Sequence, residues 1–356
     1  MIDLCIDARM ANSSGIGTCI RQIVPLLNHP PFRIILLVRH TGDAWCSKIE
    51  QILFPSPIYS IHEQILFPLK IPHCDLFWSP NYNVPLLSIR AKKRAVTIHD
   101  ACHVALKQLL SLPERLYAKF VMRQALLKSD EVITDSLFSQ AELVRFLGKS
   151  QKRISVIYPA VNQEYFQRDP KSQTYNDIRK KYHLPENFIL YVGNLKPHKN
   201  LKGLLKAFSL LPFADLGLVI VGKYKGLRNT DDIPMGQKVF CIGEVLEEEL
   251  PILYSMAALL VLPSFYEGFG LPPLEAMSCG CPTIVSKAAS LPEICGDASL
   301  YIDPEKPEEI AQRIVRLIED TELKNQLICK GYEHVKKFDW NKTADSYRDL
   351  FAICAR

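Results

Sequence analysis

The chain has 356 residues, 48% apolar and 23% charged, which is ordinary for a globular protein and long enough for two separate cores. No run approaches the ~20 apolar residues of a membrane-spanning helix, and MIDLCIDAR puts no basic leader before an apolar stretch, so it reads as a first strand rather than a signal peptide. The net charge of +5 is uneven, with 19 Lys and Arg against 12 Asp and Glu in residues 1–160 and 24 against 26 in the remainder, so an anionic membrane or phosphate-bearing acceptor is expected at the first half and nucleic acid is not.

Short apolar runs alternate with helical periodicity, the pattern of parallel α/β layers. In the first half, strands are expected at Ile2–Ile6, Ile34–Val38, Leu76–Trp78, Ala95–Ile98, Glu131–Thr134 and Ile154–Ile157. Helices fit between them at Thr18–Leu27, Pro113–Lys128 and Ser136–Leu147. The polar stretch Pro159–Pro185 has no strand signal and reads as a linker. Strands follow at Phe188–Val192, Leu218–Val221, Val239–Cys241, Ala258–Leu262, Thr283–Val285 and Leu300–Ile302. Helices are expected at Leu201–Leu211, Glu247–Met256, Leu271–Cys279 and Pro307–Glu319, and a last one from about Trp340. The expected domains are therefore 1–165 and 166–340, with 341–356 as a terminal helix. Eleven cysteines without a C-x-x-C pair read as buried free thiols, and a structural zinc site needs closer clustering.

The most informative segment is FYEGFGLPPLEAMSCGCP, Phe265–Pro282. Pro272 and Pro273 suit the first turn of a helix and Gly280 its stop. Glu267 then lies in a loop and Glu275 about one turn into the helix. A helix N-terminus favours phosphate, and a carboxylate one turn in can accept bonds from sugar hydroxyls, so the segment suits a nucleotide ligand.

FILYVGNLKPHKNLKGLLKAFS, Phe188–Ser209, runs from a strand through a short loop into a helix with Asn200 as N-cap. Lys199 stands just outside that helix, where its cation adds to the dipole against a diphosphate, unless it is a solvated loop lysine. DARMANSSGIGTCI, Asp7–Ile20, places Gly15 and Gly17 between a strand and a helix, where backbone can approach a phosphate or sugar. A dinucleotide fingerprint is broken there, with Ile20 at the third glycine position and Arg39 in place of an acid after the next strand.

AVTIHDACH, Ala95–His103, sets His99 and Asp100 at the carboxyl end of a strand, where open α/β sheets place ligands. His99, Asp100, Cys102 and His103 are all potential metal ligands, but a cluster leaving a strand sends its side chains apart, and a structural His99 is the other alternative. In Pro113–Lys128, Arg115, Lys119 and Arg123 form one basic stripe beside Leu116, Phe120 and Leu127, either a solvated face or a contact for anionic lipid.

The Phe265–Pro282 segment resembles the E-x7-E signature of the retaining glycosyltransferases of family 4, which have the GT-B fold, and the likeness extends over nearly the whole chain. Within that family it resembles the mannosyltransferase-like enzymes of bacterial cell-surface polysaccharide and lipopolysaccharide synthesis. The resemblance implies two Rossmann-like, doubly wound domains facing a central cleft, the first binding acceptor and the second nucleotide sugar, with the terminal helix crossing back to the first. It implies that Glu275 holds the donor ribose, that Glu267 lies beside the sugar, and that the backbone of Gly268, Phe269, Gly270 and Leu271 frames the sugar's far hydroxyls. Lys199 would bind the donor phosphates and His99 would meet the sugar hydroxyls, making His99, Lys199 and Glu267 the catalytic set.

The family's arginine after the strand glycine is Asn194 here, and its usual Pro-Arg-Lys is Pro197-His198-Lys199, so one cationic phosphate ligand is either missing or supplied elsewhere, with His198 the candidate. Cys19 replaces the aromatic of the N-terminal glycine loop that includes Gly15 and Gly17. The implied reaction is hexose transfer, mannose favoured, from GDP-mannose or a UDP-hexose, with no cofactor and no metal required, in the cytoplasm or peripherally at the inner face of its membrane. A catalytically silent nucleotide-sugar-binding subunit is the second reading and a nucleotide-dependent oxidoreductase the third.

Overall fold

A computed structural model describes residues 1–106, 109–148, 153–162, 172–223 and 238–356. The chain divides into two units, Met1–Ala160 with Trp340–Arg356, and Val161–Asp339. The first unit runs β1 (Ile2–Asp7), α1 (Ser14–Leu27), β2 (Phe32–Val38), β3 (Glu50–Leu53), α2 (Ile61–Lys70), β4 (Cys74–Ser79), β5 (Ala91–Thr97), α3 (Cys102–Ala105), α4 (Leu112–Lys128), β6 (Glu131–Thr134), α5 (Leu137–Leu147) and β7 (Ile154–Val156). Its strands form one parallel sheet in the order β3-β2-β1-β4-β5-β6-β7.

The second unit contains α6 (Gln173–Lys181), β8 (Asn187–Val192), α7 (Leu201–Ser209), β9 (Leu216–Val221), β10 (Val239–Gly243), α8 (Leu250–Met256), β11 (Leu259–Leu262), α9 (Leu271–Ser278), β12 (Thr283–Ser286), α10 (Leu291–Cys295), β13 (Ser299–Ile302), α11 (Pro307–Glu319) and α12 (Thr321–Val335). Its parallel sheet is ordered β10-β9-β8-β11-β12-β13. Helices cover both faces, so the central strands β8, β9, β11 and β12 are almost wholly apolar and buried. One core layer gathers Ile189, Leu204, Leu218, Val261 and Ile310, and the other Phe188, Leu190, Leu253, Leu260 and Ala276.

The last helix, α13 (Trp340–Cys354), belongs to the first unit. Tyr347 and Phe351 pack on Trp78 of β4 with ring centroids 5.1 and 5.3 Å apart. The Trp78 indole N–H donates to Thr97 Oγ1 at 3.0 Å, and Thr343 Oγ1 donates to the Tyr158 carbonyl at 2.8 Å.

Two sequence expectations are corrected. The stretch 159–185 is not a plain linker: α6 lies within it, capped by Ser172, with Tyr175 and Ile178 buried at an i, i+3 spacing that its Lys, Gln and Asn residues obscure; residues 163–171 lie outside the described residues. Helix α1 begins at Ser14 rather than Thr18, so Gly15 and Gly17 sit in its first turn and not in an open loop. A Cβ on Gly17 would strike the carbonyl of Ala11, which accepts a bond from Arg21, so that glycine is required by close packing of the turn on the helix.

Candidate functional site

Strand order in the second unit reverses between β8 and β11. Parallel sheets take ligands outside the carboxyl ends of their strands at such a point. The segments leaving these two strands carry Asn194, His198 and Lys199 after β8, and Glu267, Gly268, Phe269 and Gly270 after β11, ahead of Leu271, where α9 begins. The spacing that marked these residues in the sequence thus brings both sets to one sheet edge.

Lys199 ends a 3₁₀ turn, and Asn200 follows with φ 55°, a left-handed conformation that asparagine tolerates. The Asn200 Oδ1 accepts from Gly203 N at 3.2 Å, and its Nδ2 donates to the carbonyls of Pro263 and Pro304 at 3.1 and 2.6 Å. Phe265 N donates to the carbonyl of buried His198 at 2.8 Å. Half-buried Asn194 accepts at its carbonyl from Lys196 N at 2.8 Å. The two loops are therefore fastened together around the lysine.

The Lys199 ammonium donates to both carboxylate oxygens of Glu267, at 2.7 and 2.6 Å, and Ser264 Oγ donates to one of them at 2.7 Å. Glu267 is buried and the lysine is one-fifth exposed, so this is a largely desolvated pair whose cation still reaches solvent. Ser290 Oγ lies 2.9 Å from the Glu267 carbonyl and 2.8 Å from that of Phe269, holding the loop's backbone. The Phe269 ring meets Phe338 edge-on at 5.9 Å. Gly270 has φ 102°, a backbone conformation that other residues rarely adopt, so a side chain at that N-cap is strained.

Glu275 is the fifth residue of α9, and its carboxylate accepts from the Tyr254 hydroxyl of α8 at 2.8 Å. Burial raises the pKa of Glu275 and the charge of Glu247 adds to it, while the Tyr254 bond works the other way. Hydrogen-bond donors brought by a ligand would favour the ionised form. Two of the first three residues of α9 are prolines, so that end contributes its dipole more than a fan of N–H groups. An ammonium, two helix N-termini and a half-buried carboxylate on one edge suit an anion joined to a hydroxyl-bearing group. Ser264, Ser290 and Tyr254 carry no spacing signal in the sequence.

In the first unit, His99 follows β5. Its Nδ1–H donates to Asp135 at 2.7 Å and its Nε2–H to the Pro80 carbonyl at 2.9 Å. Burial alone lowers the pKa, but the charge and hydrogen bond of Asp135, with Pro80, outweigh it and raise His99 to about 9. The ring is thus an imidazolium with both nitrogens engaged. Its neighbours turn elsewhere: Asp100 accepts from Cys102 N at 2.9 Å, and His103 Nδ1 is 3.0 Å from the Tyr82 hydroxyl. Among the described residues, no three His, Cys, Asp or Glu side chains come together as a metal set.

A raised folded-state value means that His99 adds stability in full below its ordinary pKa of 6.5 and loses it as pH rises through about 9. The span corresponds to about 3 kcal/mol. Denaturant unfolding should therefore show stability falling over this interval in the unmodified protein, and little such slope in Asp135→Asn. A level profile from neutrality to pH 10 would mean that His99 is neutral.

A second polar cluster sits where the first sheet reverses, between β1 and β4, and sequence reasoning missed it. Fully buried Arg9 donates from Nε and Nη2 to the two Asp7 oxygens, both at 2.7 Å, lies 3.5 Å from Glu63, and stacks 4.2 Å over Phe54 and 4.8 Å over Phe67. Asn83 Nδ2 donates to Glu63, which is itself fully buried on the inner side of α2. Burial pushes Glu63 up to about 7, against the opposing pull of Arg9 and Asn83.

The family model described as "Glycosyl transferases group 1" matches residues 175–334. O-antigen chain mannosyltransferase B of Escherichia coli is 32% identical over 291 residues, which is 77% of this chain and 74% of that protein. Among solved structures, sucrose-phosphate synthase from Thermosynechococcus elongatus superposes with a TM-score of 0.81 at 21% identity, covering 99% of this chain and 100% of the other. HepE of Anabaena, solved in complex with UDP-glucose, gives 0.80 at 18% identity over the same shares. At these identities the structural likeness concerns fold, the GT-B type with two parallel-sheet α/β domains.

Proposed function

We propose, for a chain that belongs to the group 1 glycosyl transferases and is therefore a glycosyltransferase, that it moves a hexose, mannose favoured, from a nucleotide sugar to a saccharide or lipid-linked acceptor in lipopolysaccharide O-antigen synthesis. The observation that carries this reading is the Lys199–Glu267 pair on the edge that also holds Glu275. The kinship to an O-antigen mannosyltransferase supports the sugar and the product, and the UDP-glucose of HepE supports a nucleotide-sugar donor. GDP-mannose and a UDP-hexose are the two donor candidates.

In this mechanism the bond from the sugar's anomeric carbon to the diphosphate breaks. The acceptor oxygen bonds to that carbon on the same face, and its proton passes to the departing phosphate oxygen. Lys199 and the N-termini of α7 and α9 stabilise the charge on the leaving diphosphate, so no metal or cofactor is asked for. Glu267 positions the ammonium before the donor arrives and then lies beside the sugar. Glu275 accepts from the ribose hydroxyls, and the backbone of Gly268–Leu271 frames the sugar. The reaction takes place in the cytoplasm.

The test is nucleotide release and thermal shift with GDP-mannose and UDP-hexoses. One donor should raise the melting temperature and be consumed when acceptor is present. Glu275→Ala should weaken nucleotide binding by about 10²-fold, the scale of two lost hydrogen bonds to a charged group. Tyr254→Phe should weaken it less, since the tyrosine only orients the acid. Unchanged affinity in Glu275→Ala removes that residue from the site, and binding without release in the unmodified protein refutes the transferase mechanism.

A further inference from the structure

Within the first unit, the segments that leave four strands converge. Met10 follows β1, Tyr59 lies between β3 and α2, Asn81 and Tyr82 follow β4, and His103 follows β5. Asn81 ties them together: its Nδ2 donates to the Tyr59 hydroxyl at 2.9 Å and lies 3.1 Å from Met10 Sδ, and its Oδ1 accepts from Tyr82 N at 2.8 Å. The Tyr59 ring lies over that of Tyr82 at 5.7 Å with a tilt of 33°, and His103 meets Tyr82 edge-on at 5.8 Å. Tyr59, 42% exposed, is the outer end of this row of rings, with half-buried Tyr82 and His103 behind it. Its backbone has φ 65°, a left-handed conformation that a bulky residue rarely adopts, so the ring is kept in this place at a cost in strain.

Resting on the transferase reading, we propose that Tyr59 and Tyr82 form a shelf on which a neutral sugar ring of the acceptor stacks, the exposed face of Tyr59 meeting one face of the pyranose. The place is the carboxyl edge of a parallel sheet beside the reversal between β1 and β4, where such sheets take ligands. A pyranose offers a face of weakly positive C–H groups, which complements the negative face of an aromatic ring, and its hydroxyls need polar partners at the rim. Charge selects a neutral ring over a phosphate. The guanidinium at this edge, Arg9, is fully buried and faces Asp7, Glu63 and the Ser56 carbonyl. Half-buried Asp100, three residues before His103, brings a carboxylate, which accepts from sugar hydroxyls and repels phosphate.

The test is saturation-transfer NMR of the whole protein, without donor, titrated with the methyl α-glycosides of mannose, glucose, galactose and N-acetylglucosamine, and with mannose 1-phosphate. One glycoside should bind, with saturation strongest on the C–H protons of one ring face. Tyr59→Gly should weaken that glycoside about tenfold. Its unfolding midpoint should hold, because a left-handed backbone relaxes on glycine. Tyr59→Phe keeps the ring and should bind within about twofold of the unmodified protein. Binding of none of the glycosides, tighter binding of mannose 1-phosphate, or undiminished affinity in Tyr59→Gly overturns the shelf. So does an equal loss in Tyr59→Gly and Tyr59→Phe, which assigns the effect to the hydroxyl. Nucleotide release separates the shelf from the transfer mechanism. Glycoside binding that depends on Tyr59, in a protein that releases no nucleotide, sustains the shelf and refutes transfer; release accompanied by glycoside binding indifferent to Tyr59 refutes the shelf alone.

Discussion

Replacing Lys199 by alanine should lower turnover by about 10²- to 10³-fold, the usual loss when one pre-placed partner of a developing anion is removed. The same change strands Glu267, a buried carboxylate whose remaining side-chain donor in this site is Ser264, at a stability cost of about 1–3 kcal/mol. Lys199→Ala combined with Glu267→Gln removes the stranded charge, so it should regain stability without regaining turnover. Nucleotide release measured alongside denaturant midpoints separates the two effects. A double variant that recovers turnover would mean that the lysine does no more than neutralise its neighbour.

The second large effect is on stability, in the first unit. Arg9→Met keeps most of the apolar stem over Phe54 and Phe67 but leaves the Asp7 and Glu63 carboxylates without their buried counter-charge. Breaking such a buried set from one side costs about 3–5 kcal/mol, a large part of a typical domain's stability. All three tryptophans, Trp45, Trp78 and Trp340, belong to this unit, so indole fluorescence follows its unfolding without interference from the other.

The same cluster sets a pH dependence. The folded-state value of Glu63, about 7, stands above its ordinary 4.5, so the folded protein binds more protons than the unfolded chain between these limits. Stability must then fall as pH rises across that interval and level off above it. Glu63→Gln should abolish the slope. If the unmodified protein shows no slope there, or if Arg9→Met unfolds at the original midpoint, the cluster is not the charged assembly described.

The central strands were legible because burial on both faces makes them continuous apolar runs, as in Phe188–Val192 and Leu259–Leu262. Strand β3 was not, because Glu50–Leu53 is an edge strand of mixed character with both end residues exposed. Helix α2 defeats periodicity outright, since it buries a glutamate and displays Ile61, Ile65 and Leu69. At the site, Lys199, Glu267 and Glu275 could be picked out because each lies at a fixed distance from a strand end or a proline pair. Their partners Ser264, Ser290 and Tyr254 meet them only through the fold, as do Arg9 and Glu63, which stand far apart in the chain but within 3.5 Å in space.

The return of Trp340–Cys354 to the first unit has a bearing on biosynthesis. That unit is encoded in two stretches with the whole of the other unit between them, whereas the other is continuous. During translation the continuous unit is finished first. The earlier-made sheet meanwhile waits with the aromatic wall around Trp78 uncovered, because Tyr347 and Phe351, which shield it, are made only after the whole of the other unit.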